Sequence, residues 1–332
     1  MGKNKVVHLI NNQYFRIYST KFKTTGMHDL KAIYKKIYTT LMEEVPECFP
    51  ENGNHRKYPN LPKMNDLSIV SLAMTAECLE ITSENLLWFK INKDYPDLFP
   101  NLIHRASFNR RRKNLCELIA RCIAALGNKL ISEDEVFTID TFPVPVCRIA
   151  RERQSKACQR PEWDEVLANK GYNKIMGGYF IGYKIHMITT ASGVNVDLYI
   201  TPASTHDVKF LAELDEGDRH LADRILLGDR AYISEAHQLR LWDDLNLRLE
   251  VPYRKNQKDR CVYPISYRKS RKSIEVVFSQ YCDEYRIKHN YAKRFRGFEA
   301  RIVTKVAAKT FKQFWNYKNG NPINKTKHAL AA

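Results

Sequence analysis

The sequence predicts an α/β protein in which a mixed sheet flanked by helices follows an all-helical N-terminal region. Three observations lead there. Residues 1 to about 130 place their apolar side chains at helical spacing. From residue 131, short β-branched runs bounded by Pro or Gly alternate with further helical stretches. Two of those runs, Val136-Phe137-Thr138-Ile139-Asp140 and Ile225-Leu226-Leu227-Gly228-Asp229, each deliver a carboxylate at their C-terminal end. Open α/β sheets build their sites at that end.

Taken in order, Asp29 opens a helix with Ile33, Ile37 and Leu41 on one face, and a polar connector follows over residues 52 to 63. A second helix runs through Leu67, Val70, Met74 and Leu79. Ser83 is placed to cap a third through Leu86, Leu87 and Ile91, closed by Pro96 and Pro100. Ser107 is expected to cap one long helix with Cys116, Ile119, Ile123 and Leu126 inward and Arg110, Arg111, Arg112 and Lys113 in and just beyond its first turn. Four cations there oppose the helix dipole. Either they grip phosphates from a helix-turn-helix-like module, or they are the charged outer face of a bundle.

After the first strand, residues 147 to 178 read as a long excursion of mixed charge. Phe180 to Thr189 and Val194 to Ile200 form a hairpin about Ala191-Ser192-Gly193, and Thr201 to Asp207 lead into a helix through Phe210, Leu211 and Leu214. The strand to Asp229 follows, then a helix with Leu239 and Leu245, then a short strand at Leu249 to Val251. A strand-to-helix passage is expected across the basic stretch Arg254 to Lys272, leading to a helix with Ile274, Val277, Phe278, Tyr281 and Tyr285 on one face. The last helix, about Ala300 to Trp315, buries Val303, Val306, Phe311 and Phe314 while Lys305, Lys309 and Lys312 face elsewhere. This divides the chain into a helical domain at 1–130, an α/β domain at 131–315 and a polar, frayed tail at 316–332.

Composition narrows the function. Apolar and charged fractions of 44% and 27% are those of an ordinary soluble globular protein. No apolar run approaches the roughly 18 residues that a membrane span needs, and the start Met1-Gly2-Lys3-Asn4-Lys5 lacks a signal peptide's apolar core. A cytoplasmic protein without a membrane partner is expected. The 8 cysteines include no Cys-x-x-Cys, which argues against zinc. Net charge is +17 and unevenly spread: residues 253–332 hold 20 Lys and Arg against 5 Asp and Glu, whereas residues 179–252 hold 7 against 12. An acidic middle beside a basic flank suits cations at the centre and a polyanion along the edge.

Neighbouring strands would bring Asp140 and Asp229 together, and a helix across the same end offers Glu275, on a stripe shared with Ser279, Cys282 and Arg286. Hard cations choose such oxygen ligands, and two of them can clamp the attacking and leaving oxygens of a phosphodiester. Each acid also has a plainer use: either Asp could cap a turn, and Glu275 stands four residues after Arg271 as an ordinary helix pair.

Five motifs in this order, Asp140-Thr141-Phe142-Pro143, Gly182-Tyr183-Lys184-Ile185-His186, Pro202-Ala203-Ser204-Thr205-His206-Asp207, Gly228-Asp229-Arg230-Ala231-Tyr232 and Ile274-Glu275-Val276-Val277-Phe278-Ser279, together resemble the DDE transposases of bacterial insertion sequences. The resemblance covers about residues 65 to 315. It implies an RNase H-like catalytic fold, two divalent ions (Mg²⁺ or Mn²⁺) and Asp140, Asp229 and Glu275 as catalytic, metal-binding triad. It also implies double-stranded DNA as partner, both terminal inverted repeats and target, a homodimer in the DNA complex, and a nucleoid-associated place in a bacterial cytoplasm. The cations expected on the DNA are Arg110, Arg111, Arg112 and Lys113, then Arg148, Lys184, His206 and Arg230, then Arg268, Arg271, Lys288, Lys293 and Arg294. Many relatives place Tyr-x-x-Arg before the Glu and a Lys seven positions after it; here Arg271 fits, but Arg268 stands at the Tyr position and Cys282 at the Lys position. A nuclease on the same fold without strand transfer, and an inactive DNA-binding relic, are the alternatives.

Overall fold

The computed structural model describes residues 29–131, 136–159, 166–174, 177–253 and 263–330. Of the strand-to-helix passage expected over 254–272, residues 254–262 lie outside the described residues, and Ile265 to Lys272 are already helical.

In the helical region, α1 (Leu30–Glu44) starts where Asp29 accepts from the Lys31 backbone N–H at 2.9 Å. Asn65 caps α2 (Asp66–Cys78), and Ser83 caps α3 (Glu84–Asp94), its hydroxyl accepting from Leu86 N–H at 3.3 Å. The single long helix expected from Ser107 is instead two, α4 (Arg105–Asn114) and α5 (Cys116–Ile131), with His104 as the cap of α4. That break moves Arg111, Arg112 and Lys113 into the last turn of α4, where cations suit the helix dipole, with Arg110 just before them.

The sheet contains β1 (Val136–Cys147), β2 (Asn169–Asn173), β3 (Gly178–Thr190), β4 (Asn195–Pro202), β5 (Ile225–Leu227) and β6 (Arg248–Glu250). Its order is β2-β3-β1-β5-β6, with β4 pairing the same edge of β3 beyond β2. The β1, β2, β3 and β4 pairings are antiparallel, while β1, β5 and β6 run parallel. This is the mixed α/β architecture the alternation predicts. Beyond Thr138 the second edge of β1 carries no partner strand among the described residues, which accommodates Pro143 and Pro145, whose ring nitrogens have no hydrogen to donate. The excursion over 147–178 holds a short helix, α6 (Lys156–Gln159), and β2; the latter, Asn-Lys-Gly-Tyr-Asn, lacks the β-branched residues that announce a strand. The helix expected after Asp207 is a 3-10 turn, Asp207–Ala212. Helices α7 (Glu235–Leu245), α8 (Ile265–Asp283) and α9 (Phe295–Lys318) complete the set.

Alternation along β1 sends Phe137 and Ile139 to one side of the sheet, against Leu211, Leu226, Leu241 and Tyr232. Phe142 and Val144 point to the other side, into one continuous apolar cluster that includes α1, α2, α5, α8 and α9. Helix α9 lies at the centre of that cluster and is buried on every side. Its lysines do not face outward as the apolar pattern suggests: Lys305, Lys309 and Lys312 are buried. Lys305 pairs with Glu77 and donates to Tyr285 O at 2.7 Å, Lys309 donates to Gly193 O at 3.0 Å, and Lys312 sits 5.0 Å over the Tyr285 ring. These partners lie far away in sequence, so helical periodicity alone could not reveal them.

The stretch after α9 is not frayed through residue 330. The Asn316 side-chain amide donates to the carbonyls of Pro322, Ile323 and Lys325, and Thr326 Oγ1 donates to Glu284 at 2.8 Å. Ala329 and Leu330 are buried.

Candidate active site

The parallel register of β1 and β5 pairs Thr138 with Leu227, so Asp140 and Asp229, each two residues further on, fall at the same level of the sheet: Asp229 just past the end of β5, Asp140 within β1 and not at its end as expected, because β1 runs on against β3 to Cys147. Strand β5 must end there, because Asp229 Oδ1 turns to accept from Ala231 N–H at 2.7 Å and caps a 3-10 turn, Arg230–Tyr232. Gly228 is needed beside it: a β-carbon there would meet the Tyr232 side chain at 3.2 Å. The capping use of Asp229 and a ligand use are compatible, since a carboxylate has a second oxygen to offer.

Asp140 is half-buried and accepts from its neighbour's N–H, Thr141, at 2.7 Å. Burial pushes its carboxyl up to about 7; the Thr141 N–H and the Arg271 guanidinium oppose that shift, while the charges of Asp229 and Asp207 add to it. The same three carboxylates surround Tyr232, whose hydroxyl is buried without a hydrogen-bond partner and whose pKa is driven well above its ordinary value, chiefly by burial. Asp207 and Tyr232 are the residues that sequence reasoning missed. Both stand inside motifs that drew attention, one after His206 and one three places after Asp229, but a helix cap and an apolar ring are their more ordinary readings.

Helix α8 crosses β1 on the Asp140 side. Phe278 packs on Phe142 with ring centroids 4.5 Å apart, and Arg271 reaches the field of Asp140. Glu275 lies between those two contacts on the same stripe, four residues after Arg271 and three before Phe278. The stripe facing the site is therefore Arg271, Glu275, Phe278, and not the expected Glu275, Ser279, Cys282, Arg286: Ser279 donates to Asp283 at 2.9 Å, and Arg286 pairs with Glu80 at 2.9 Å beyond the helix end. Glu275 is exposed. Its carboxylate does not close with the two aspartates into a set of three ligand atoms within 4.8 Å; among the described residues the set that does is Asp197, Asp218 and His220, out on β4 and the segment before β5.

Residues 131–311 match the family described as the transposase DDE domain. The chain belongs to that family. The protein is thus a transposase, an enzyme of DNA transposition. No curated protein sequence matches it. Among solved structures it is similar to one described as a piggyBac transposase synaptic complex with hairpin DNA, at 10% identity and a TM-score of 0.45, covering 93% of this chain and 80% of that one. No helix of the transposase is long and apolar enough to cross a membrane among the described residues.

The cations expected on DNA fall into three groups. Arg230, Arg268 and Arg271 line, with Asp229, Pro252 and Tyr263, a cleft of about 480 Å³ beside the acids. Arg110, Lys113, Lys293 and Arg294 line a second cleft, away from them. The remainder serve the fold or stand apart. Arg111 pairs with the buried Asp66 at 2.6 Å, and Arg112, itself buried, lies 2.8 Å from Glu84. Lys184 is held by Asp207 and by Thr205 O, each at 2.9 Å. His206, Arg148 and Lys288 are exposed, the last beside the Cys282 thiol. His186, from the same motif as Lys184, is a core histidine bonded to Thr201 at 2.8 Å, with its pKa lowered by burial to about 4.

Proposed function

We propose that this transposase cuts DNA at the ends of an insertion sequence and joins those ends to target DNA, with Asp140, Asp229 and Glu275 as ligands for two divalent ions, Mg²⁺ or Mn²⁺. The observation that carries this reading is the register that brings Asp140 and Asp229 out together under the Arg271–Glu275–Phe278 stripe of α8. The donors fit hard cations: every group at the site offers oxygen, the carboxylates outnumber the cation facing Asp140, and the buried Tyr232 hydroxyl is left without a partner. Bound divalent ions would supply Lewis-acid polarisation of the phosphodiester and charge stabilisation on its attacking and leaving oxygens.

The chain's own residues do the rest. Arg230, Arg268 and Arg271 hold the phosphates on either side of the one that reacts, placing it beside Asp229 at the mouth of the cleft. The Phe142–Phe278 contact fixes α8 on the sheet so that Glu275 is presented at the same end as the aspartates. In the first step water attacks phosphorus, the P–O3′ bond breaks, and a 5′-phosphate and a protonated 3′-hydroxyl result; in the second that 3′-hydroxyl attacks a target phosphodiester, losing its proton to solvent as the new P–O bond forms, and the target's own 3′-oxygen leaves and takes up a proton. The sheet order, three antiparallel pairings followed by two parallel ones, supports an RNase H-like description of residues 131–315. Residues 1–130 would read the terminal repeats, and a homodimer would pair the two ends.

Asp140→Ala, Asp229→Ala and Glu275→Ala are each expected to keep duplex binding and lose Mg²⁺-dependent cleavage. Parental cleavage rates in all three would end the assignment. A strand-transfer assay with the element's own ends separates a transposase that joins from a nuclease that only hydrolyses.

A further inference from the structure

The second basic cleft, about 520 Å³, is walled by α4 on one side and by the segment leading into α9 on the other. Arg105, Arg110 and Lys113 come from the first wall, and Lys293, Arg294 and Arg296 from the second. The walls touch: a β-carbon on Gly297 would meet the Lys113 stem at 3.8 Å. One acid, Glu84, lines the cleft, and it is already consumed by the scaffold. It accepts from Asn109 at 2.8 Å and stands 2.8 Å from Arg112, 3.5 Å from Arg301 and 3.8 Å from Arg105. A single carboxylate among three guanidiniums leaves the floor positive before the exposed cations are considered.

The display is also rigid. Buried Asn290 donates to Phe298 O at 3.3 Å and accepts from Ala292 N–H at 3.0 Å, which clasps the turn carrying Lys293 and Arg294. Tyr291, Ala292 and Lys293 also line an adjoining cleft with Arg151, Lys156 and Cys147, so the cationic surface continues toward the far end of β1. Cys147 is seven residues along β1 from Asp140, about 23 Å at strand rise. On duplex DNA that is about seven base pairs.

We propose that this cleft is a second phosphate-binding site for double-stranded DNA, built jointly by the helical region and the α9 entrance, which grips the backbone away from the phosphodiester at the acids. It rests on the reading of DNA as substrate. Fixed cations that follow a groove take a polyanion, and an acidic protein surface would be the competing occupant.

The test measures binding of the full chain to a labelled duplex of arbitrary sequence in metal-free buffer across a salt series, because phosphate contacts set the slope of log K against log salt. Three variants are compared with the parent. The charge-removing triple Arg110→Gln, Lys113→Gln, Lys293→Gln is expected to flatten the slope by about 2 to 3. The charge-keeping triple Arg110→Lys, Lys113→Arg, Lys293→Arg restores the slope to within about 1 of the parent. Removing three exposed cations elsewhere, Lys57→Gln, Lys63→Gln and Lys327→Gln, changes it by less than about 1. A parental slope in the first triple, or an equal loss in the control triple, overturns the proposal. If the parent itself binds no duplex, the DNA reading fails as a whole; if the parent binds and the cleft triple matches it, the cleft alone is wrong.

Discussion

Helices α8 and α9 are consecutive and both rich in Lys and Arg, yet they spend their charge in opposite ways. Helix α8 buries only Ile274, Val277 and Tyr281 and leaves Arg268, Lys269 and Lys272 exposed along a surface that ends at the acids. Helix α9 buries three lysines among aromatic rings and backbone carbonyls at the centre of the molecule. A cation on a helix therefore says little about its surroundings until the opposing element is known. In α8 the basic side chains are available to a polyanion; in α9 they hold the helical region, the sheet and the C-terminal turn on one hub.

The sharpest break of that contrast is at Lys305. Glu77→Gln leaves its ammonium buried with only a carbonyl partner, and losing one member of a buried ion pair costs about 3 to 5 kcal/mol. Denaturant unfolding is expected to show that loss. A double-mutant cycle with Lys305→Met is expected to recover part of it, since removing both charges leaves neither uncompensated. In α8 the matching change should spare the fold. Glu275→Ala removes an exposed side chain, so stability stays within about 0.5 kcal/mol. Cleavage is expected to fall by more than about 100-fold, because even the outer partners of metal ligands commonly cost 10- to 100-fold. A stability loss in Glu275→Ala equal to that of Glu77→Gln would erase the distinction between the two helices.

The same contrast explains what the sequence made legible. Local signals were sufficient for the caps at Asp29 and Ser83, for the β3–β4 hairpin, and for the two runs that become β1 and β5, although β1 continues past Asp140 to Cys147. Each depends on residues within a few positions of one another. Most of the failures depend on distant partners. The break between α4 and α5 places Arg111 on Asp66 and Arg112 on Glu84, pairings invisible to helical periodicity. The stripe of α8 that faces the acids was misplaced by a helical turn because Phe142, which selects Phe278, is 136 residues away. Asp207 joins the acidic group only through the closeness of the β4–β5 connection to β1 and β5, and Tyr232 only because the turn after Asp229 folds its ring back under the carboxylates. The tail was read as frayed because its anchors are Asn316 and Glu284, neither of which belongs to an apolar pattern.

A smaller effect sharpens the α9 half of the comparison through pH. Lys309 is almost wholly buried, donates to Gly193 O at 3.0 Å and Asn324 Oδ1 at 3.2 Å, and lies 5.8 Å from the Tyr281 ring; Glu284 is the opposing charge that reaches it. Burial lowers its pKa to about 7, and the charge of Glu284 offsets only part of that shift. Between about 7 and the ordinary lysine value the unfolded chain binds a proton that the folded chain does not, so stability rises with pH across that window and is level in this respect below it. One proton contributes at most about 1.4 kcal/mol per pH unit. The parent is therefore expected to gain roughly 1 kcal/mol from pH 7.5 to 8.5 relative to Lys309→Met, as read from urea midpoints. The methionine keeps the long apolar stem against Tyr281 and removes the titrating nitrogen, so a parallel pH dependence in the two proteins would mean that Lys309 stays charged inside the hub and that Glu284 compensates it fully.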